Sequence, residues 1–176
     1  AEPPNGVSAQ PQPGMENLAM STVNPIPPGH TTVTPGNTLN DASAAIDFYK
    51  KAFGATERGR FAGPDGKIMH AEIEIGNAAV MLNDEVMGQR GPKSYGGSPA
   101  SFYLYFDDAD AAQKRAVAAG AKETMPVTDM FWGDRMGNIE DPYGYQWSIA
   151  SRVREMTPEE IKEAGKEFMK QMAGAR

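Results

Sequence analysis

The side chains best suited to acid–base chemistry lie on one short stretch, "IMHAEIEIG", residues 68–76. The chain has only two histidines, and single apolar residues separate His70 from Glu72 and Glu74. Because side chains alternate between the faces of a strand, a strand here places these three on one face. A histidine two positions from a glutamate suits proton transfer or ligand orientation, so His70 and Glu72 are the candidate catalytic residues. The alternative is a solvated or ion-paired strand face.

A second candidate group is the aromatic run "FYLYF", residues 102–106. Alternation places Tyr103 and Tyr105 on one face together with Ser101. A tyrosine offers a flat apolar surface and one hydroxyl, which suits a pocket for a small molecule. The three residues are therefore candidate ligand contacts, against the alternative of a half-exposed aromatic sheet face.

The third group lies in "MFWGDRMGN", residues 130–138. Asp134 and Arg135 could hold a polar ligand, since a guanidinium binds a carboxylate or phosphate through two hydrogen bonds. Trp132, beside a glycine, could close the mouth of a cavity. The alternative is that Asp134 and Arg135 brace the loop against the other module or against a dimer mate.

Two helices with similar surroundings divide the chain into halves. The first is capped by Asn40 and Asp41 and ends at Gly54, and the second follows Asp107 and Asp108 and ends at Gly120. "NDASAA" in the first half corresponds to "DDADAA" 67 residues later, and "GATE" to "GAKE" 66 residues later. Each half also shows the order strand–helix–strand–strand–strand. These patterns indicate an internal duplication.

The predicted fold is α+β, with two βαβββ modules at about 30–90 and 99–151. Their curved mixed sheets form a cup, with the helices on the outside. In the second module, the turn "DPYG" precedes a final strand in which Gln146 and Ser148 alternate with apolar residues. Ser148 is therefore expected on the face that carries the tyrosines.

Both ends of the chain differ from the predicted domain at 30–155. Residues 1–29 are rich in Pro, Gly, Asn, Gln and Ser without a period, which predicts a disordered or draped tail. Residues 156–176 predict a helix that opens with a capping box. Three apolar residues of this helix share one face: Ile161, Phe168 and Met172. This face is expected to pack on the core or on a partner subunit.

Composition excludes several functions. A net charge of −6 and a pI of about 5.0 argue against nucleic acid as a partner, because phosphate binding needs a basic face. The absence of cysteine excludes disulfides, zinc–thiolate sites and thiol catalysis. No apolar run is long enough to predict a membrane span. No intact signal peptide is evident, so a cytoplasmic location is expected, and a periplasmic or secreted protein beginning "AEPP" after signal removal is the alternative.

The duplicated module, the helix end "FYKKAFGA" and the turn "DPYGY" together resemble the vicinal oxygen chelate superfamily. This group contains glyoxalases, bleomycin-resistance proteins and extradiol dioxygenases. Within it, "GPDGKIMHAEIEIG", "FWGDRMGNIEDPYG" and the "TPEE" tail are similar to the PhnB-like branch. The resemblance covers roughly residues 30–170 and implies a cup-shaped cavity and, commonly, a dimer.

Metal-using members of the superfamily place ligands at four strand positions. Carried onto this chain, these positions fall at Thr34, Leu82, Ser101 and Ser148. Divalent transition metals prefer imidazole and carboxylate ligands. The resemblance therefore implies no intrinsic metal site and no cofactor, although the neighbouring residues Asn83, Asp84 and Gln146 offer oxygen atoms.

Three hypotheses about function remain open. The first is a metal-independent protein that binds an apolar or amphiphilic small molecule in the cup. The second is a lyase, isomerase or transferase that uses His70 and Glu72. The third is a metal enzyme of the glyoxalase or dioxygenase kind with unexpected ligands such as His30, His70 and Glu72. The sequence leaves open whether the protein is an enzyme. A homodimer is expected.

Overall fold

The structure is a computed structural model that describes residues 23–174, so most of the predicted tail lies outside the described residues. It contains eight strands and four helices in the order expected for two repeated modules. Their bounds are β1 Gly36–Leu39, α1 Ala42–Phe53, β2 Thr56–Ala62, β3 Ile68–Ile75, β4 Ala78–Asp84, α2 Pro92–Tyr95, β5 Ser101–Tyr105, α3 Ala109–Ala118, β6 Lys122–Asp129, β7 Asp134–Glu140, β8 Gln146–Arg152 and α4 Pro158–Gly174.

The strands form two four-stranded mixed sheets with the same topology. The first has the order β1-β4-β3-β2 and the second β5-β8-β7-β6. In each sheet the first strand of the module runs parallel to the last, and the remaining pairs are antiparallel. Helix α1 covers one face of the first sheet, α3 covers one face of the second, and the two helices pack against each other. The predicted α+β fold with two βαβββ modules is confirmed.

Equivalent aspartate side chains cap helices α1 and α3, as the sequence predicts. Asp41 Oδ1 accepts a hydrogen bond from the Ala44 amide at 2.9 Å, and Asp108 Oδ1 accepts one from the Ala111 amide at 3.0 Å. Helix α1 ends at Gly54, whose φ of 70° is accessible to glycine with little strain. The predicted apolar stripe of α1 is buried: Ala45, Ile46, Tyr49 and Phe53.

A buried carboxylate joins the two modules. Asp141, in the turn before β8, accepts hydrogen bonds from Tyr49 OH of α1 at 2.8 Å and from Trp147 Nε1 at 2.9 Å through Oδ2. Its Oδ1 accepts the amides of Tyr143 and Tyr145, both at 2.9 Å. Burial raises the pKa of Asp141, while these four donors oppose that rise. The hydrogen bonds of Asp141 thus fix the predicted turn to the core.

The linker between the modules is rich in Gly and Pro, contains the one-turn helix α2 and packs closely. A Cβ on Gly91 would lie 2.5 Å from the Thr38 carbonyl oxygen, and one on Gly144 would lie 2.9 Å from Pro92 Cβ. Glycine at both positions therefore lets the linker approach β1 and the turn before β8.

Helix α4 begins with the predicted capping box, in which the Glu160 amide donates to Thr157 Oγ1 at 3.2 Å and the Thr157 amide donates to Glu160 Oε2 at 2.7 Å. None of the described side chains of this helix is buried. Its Phe168 ring stacks on Phe131 at a centroid distance of 5.4 Å. No helix within residues 23–174 is long and apolar enough to cross a membrane.

Candidate functional site

The face of each sheet opposite its helix is called here the cup face. On β3 it carries His70, Glu72 and Glu74, as predicted, since Ala71 and Ile73 on the other face are buried in the core. His70 is exposed and pairs across the ladder with Phe61 of β2. The structure therefore places His70 and Glu72 on one face, two residues apart.

Glu72 contacts two side chains from outside β3, a guanidinium and an imidazole. Arg58 Nη1 donates to Glu72 Oε1 at 2.9 Å, and His30 Nε2 lies 3.0 Å from Glu72 Oε2. Hydrogen bonding from Arg58, reinforced by the charge of His30, lowers the pKa of Glu72. A carboxylate with a lowered pKa is a weak general base, so this arrangement favours ion pairing over proton abstraction.

His30 reaches this face from the segment that precedes β1. Its side chain is only 8% exposed, and its Nδ1 lies 3.3 Å from the Pro28 carbonyl oxygen. The neighbouring Gly29 contacts Arg58 closely enough that a Cβ would meet the guanidinium at 2.4 Å. Sequence reasoning named His30 as a possible metal ligand but missed this contact, because the preceding residues show no periodicity.

On the second sheet, four of the predicted ligand contacts come together around a buried carboxylate. Asp134 is 1% exposed, and its Oδ2 accepts hydrogen bonds from Tyr105 OH and Trp132 Nε1, each at 3.0 Å. Tyr103 OH lies 3.2 Å from the same oxygen. We call this the Asp134 cluster: Tyr103, Tyr105, Trp132 and Asp134.

The cluster presents two tyrosine rings to the outside. Tyr103 is 43% exposed and Tyr105 is 59% exposed, and their centroids are 5.1 Å apart. Burial of the hydroxyl and the nearby charge of Asp134 raise the pKa of Tyr103 to about 12, and burial likewise raises that of Tyr105. Both therefore remain neutral hydrogen-bond donors at physiological pH. The guanidinium of Arg152 lies 3.7 Å from Asp134 Oδ1 and partly balances the charge.

Arg135 lies on the opposite face of β7 from Asp134, because adjacent side chains alternate. Its Nε donates to Asp110 Oδ2 at 2.6 Å and its Nη1 donates to Asp129 Oδ1 at 2.9 Å. These bonds connect β7 with α3 and with the end of β6. The structure thus separates Arg135 from the Asp134 cluster. Its contacts brace β7 within the second module, whereas the alternative interpretation placed the brace against the other module or a dimer mate.

Ser101 and Ser148 lie beside the Asp134 cluster on the same cup face. Ser148 lies between the buried residues Trp147 and Ile149 and faces the cup as predicted, opposite Tyr103 in the ladder. Its Oγ donates to Asn138 Oδ1 at 2.8 Å. Both serines line a shallow polar cavity of about 170 Å³.

One of the four positions carried over from metal-using relatives is wrong by one residue. Leu82 is fully buried beneath the helices. The Ala42 amide donates to Asp84 and the Ala109 amide donates to Ser151, so equivalent residues of the modules are 67 apart. Met81, on the cup face, is therefore the counterpart of Ser148.

The corrected donor set consists of hydroxyls and a thioether, from Thr34, Met81, Ser101 and Ser148. It does not fit the preference of divalent transition metals for imidazole and carboxylate. Asp84, another candidate oxygen donor, is buried and accepts the amides of Ala42 and Ile68. Within residues 23–174, no group of three or more His, Cys, Asp or Glu side chains is arranged to hold a metal ion. His30, His70 and Glu72, the ligands of the third hypothesis, therefore do not form such a group.

Comparison with known proteins agrees with this architecture. The family model of the glyoxalase/bleomycin resistance protein/dioxygenase superfamily matches residues 29–149. The chain belongs to this superfamily. The match covers both modules and stops before helix α4.

Relatives of this superfamily member include bacterial and plant proteins. It is 44% identical over 137 residues to an uncharacterized protein of Mycobacterium tuberculosis strain H37Rv, covering 75% of this chain and 81% of the relative. The crystal structure of TioX from Micromonospora sp. ML1 is 25% identical with a TM-score of 0.55, covering 70% of this chain and 99% of TioX. An Arabidopsis thaliana gene product is 28% identical with a TM-score of 0.55, covering 67% and 96% of the two chains.

Proposed function

We propose that this protein binds a small apolar or amphiphilic molecule on the cup face of the second sheet, without a metal ion. The observation that carries the proposal is the Asp134 cluster. A buried carboxylate fixes two tyrosine rings side by side while leaving much of each ring exposed. Such a surface offers apolar contact area at a low cost in side-chain entropy.

The arrangement of polar groups around the rings also supports this function. The hydroxyls of Tyr103 and Tyr105 point toward Asp134, so the ring faces are left for contact with a ligand. Beside the cluster, Ser101 and Ser148 border a polar cavity that could receive a hydrogen-bonding group. A molecule with an aromatic or aliphatic body and one polar end would match both regions.

We further propose that the protein belongs to the PhnB-like branch, is cytoplasmic and is a homodimer. Apolar side chains on the cup face of each sheet are exposed, including Phe61 and Tyr105, and Phe168 and Met172 of α4 are also partly exposed. A second copy would cover part of this surface. Analytical ultracentrifugation over a hundredfold range of concentration tests the dimer, and a monomer at every concentration would contradict it.

Titration with the neutral dye N-phenyl-1-naphthylamine tests ligand binding. We expect saturable fluorescence enhancement with the native protein and at least tenfold weaker binding after the double substitution Tyr103→Ala and Tyr105→Ala. Phe61→Ala serves as the matched control, because Phe61 is an exposed aromatic residue on the first sheet, outside the Asp134 cluster. Replacing both cluster tyrosines by Phe keeps the rings and should preserve binding within about threefold. Equal affinity in the double alanine variant would contradict the proposal.

The principal alternative is an enzyme of the lyase, isomerase or transferase type on the first sheet. The group of His30, Arg58 and Glu72 favours it, because it places a guanidinium, an imidazole and a carboxylate where an anionic substrate could bind. This alternative predicts that His70→Ala or Glu72→Gln abolishes turnover while the fold survives. Metal analysis of purified protein distinguishes the metal-dependent version, which requires a stoichiometric ion.

A further inference from the structure

A second cavity lies away from the cup, where the linker crosses between the modules. It has a volume of about 240 Å³ and is bordered by β1, by the linker around α2, and by Phe102 and Tyr145 of the second module. Two of its lining residues are Asn37 and Phe102. In the ladders Asn37 pairs with Leu82 and Phe102 pairs with Trp147, and both partners lie in the core on the helix side of the sheets. This junction cavity is therefore separate from the Asp134 cluster.

A buried amide with no hydrogen-bond partner lines the junction cavity. Asn37 is 1% exposed, and within the described chain neither its Oδ1 nor its Nδ2 has a hydrogen-bond partner. Burying an unpaired amide is costly, and buried polar groups in proteins are almost always satisfied. Both atoms therefore require partners other than the described residues, such as a bound ligand or water.

The fold itself does not require an amide at this position. The modules are related by an offset of 67 residues, as the amide contacts at Asp84 and Ser151 show. The counterpart of Asn37 is then Leu104, which pairs with Ile149 as Asn37 pairs with Leu82. The second module thus uses an apolar residue where the first carries an unpaired carboxamide.

The remaining walls of the junction cavity are aromatic and fixed in place. The rings of Phe102 and Tyr145 lie 5.9 Å apart, and Tyr145 OH donates to the Thr38 carbonyl oxygen at 3.0 Å. On the linker side, the guanidinium of Arg90 lies 4.9 Å from the ring centroid of Tyr95. Flat walls that surround one donor–acceptor pair select for a planar ligand.

We propose that the junction cavity binds a planar molecule with a cyclic amide edge, such as a lactam, an imide or a nucleobase-like ring. The N–H and C=O of such an edge are adjacent and pair with the Oδ1 and Nδ2 of Asn37 through two hydrogen bonds. Arg90 at the cavity wall disfavours a cationic ligand. This site is independent of the ligand proposed for the cup.

The main competing occupant is ordered water. A cavity of this size has room for several waters, given that each takes about 30 Å³ in the liquid. Waters would satisfy Asn37 without any selectivity between planar ligands. The experiment must therefore compare ligands that differ only at the amide edge.

Titration of the full chain with isoquinolin-1(2H)-one, followed by ¹⁵N-resolved NMR, tests the proposal. We expect a dissociation constant of about 1 mM or lower, which is reasonable for a fragment of this size. The side-chain amide resonances of Asn37 should shift on binding. The N-methyl derivative, which lacks the donor, should bind at least tenfold more weakly.

Two variants and one control complete the test. Asn37→Leu reproduces the residue of the second module and should raise the melting temperature while reducing lactam affinity at least tenfold. Tyr95→Ala leaves the core untouched and should weaken binding severalfold even if Asn37→Leu does not fold. Tyr103→Phe, in the cup, should leave the affinity for isoquinolin-1(2H)-one unchanged. Undetectable lactam binding, equal affinity for the two ligands, or a lowered melting temperature of a folded Asn37→Leu would overturn the proposal.

Discussion

Two buried carboxylates in the second module are surrounded by similar donors but lie in different environments. Asp141 and Asp134 each accept hydrogen bonds from a tyrosine hydroxyl and a tryptophan indole. Around Asp141 these aromatic partners, Tyr49 and Trp147, are buried between the modules. Around Asp134 the tyrosine rings remain substantially exposed on the cup face.

The difference shows how one chemical arrangement can serve stability in one place and recognition in another. Both oxygens of Asp141 accept two hydrogen bonds each, which leaves no capacity for a ligand. At Asp134 the three aromatic donors converge on Oδ2, while among residues 23–174 Oδ1 has only Arg152, at 3.7 Å. We therefore expect substitutions at Asp141 to act on folding and those around Asp134 to act on binding.

The largest expected effect is the loss of stability in Asp141→Asn. Asparagine keeps one accepting oxygen, but its NH2 group cannot accept from the two donors at the other position, so two buried donors lose their partner. We expect the free energy of unfolding to fall by about 3 kcal/mol, as measured by urea denaturation. Asp134→Asn is the matched control and should lose less, because its aromatic donors can turn to solvent. A larger loss of unfolding free energy in Asp134→Asn than in Asp141→Asn would contradict the expected order.

A smaller effect is expected from removing single hydroxyls. Tyr49→Phe deletes a buried hydrogen bond to a carboxylate and should cost about 1.5 kcal/mol. Tyr103→Phe deletes the corresponding bond on the cup face and should cost at most about 0.5 kcal/mol, because water reaches its surroundings. Equal losses in the two variants, measured in parallel thermal and urea unfolding, would show that the exposure of the tyrosine does not determine how much its hydroxyl stabilises the fold.

The smallest expected effect concerns the ionisation of Tyr103, whose pKa is raised to about 12. Asp134→Asn removes a nearby negative charge that disfavours the phenolate, so this pKa should fall toward that of an ordinary tyrosine. A raised pKa in the folded state means that the associated stability is present below pH 10 and is lost as the pH rises through about 12. Absorbance titration of tyrosinate, with Tyr103→Phe to identify the transition, measures the shift. An unchanged titration would show that Asp134 does not act on Tyr103.

Much of the fold was predictable because local signals and the duplication agree. Asp41, Gly54 and Asp108 mark the helix ends, and strand alternation places Tyr103 and Ser148 on the cup face. The error at Leu82 arose because a one-residue shift exchanges the two faces of a strand, and β4 carries apolar side chains on both. Only the structure could show that His30 contacts Glu72, because tertiary packing decides that contact.

The central claim is that the Asp134 cluster is the ligand-binding surface, and methionine methyl NMR tests it most directly. Met136 Sδ lies 2.8 Å from Tyr103 OH, whereas Met169 and Met172 lie on the exposed face of α4. With ¹³C-methyl methionine and saturating N-phenyl-1-naphthylamine, we predict a shift of the Met136 resonance, assigned through Met136→Leu. Shifts confined to Met169 and Met172 would contradict the claim and place the dye on α4.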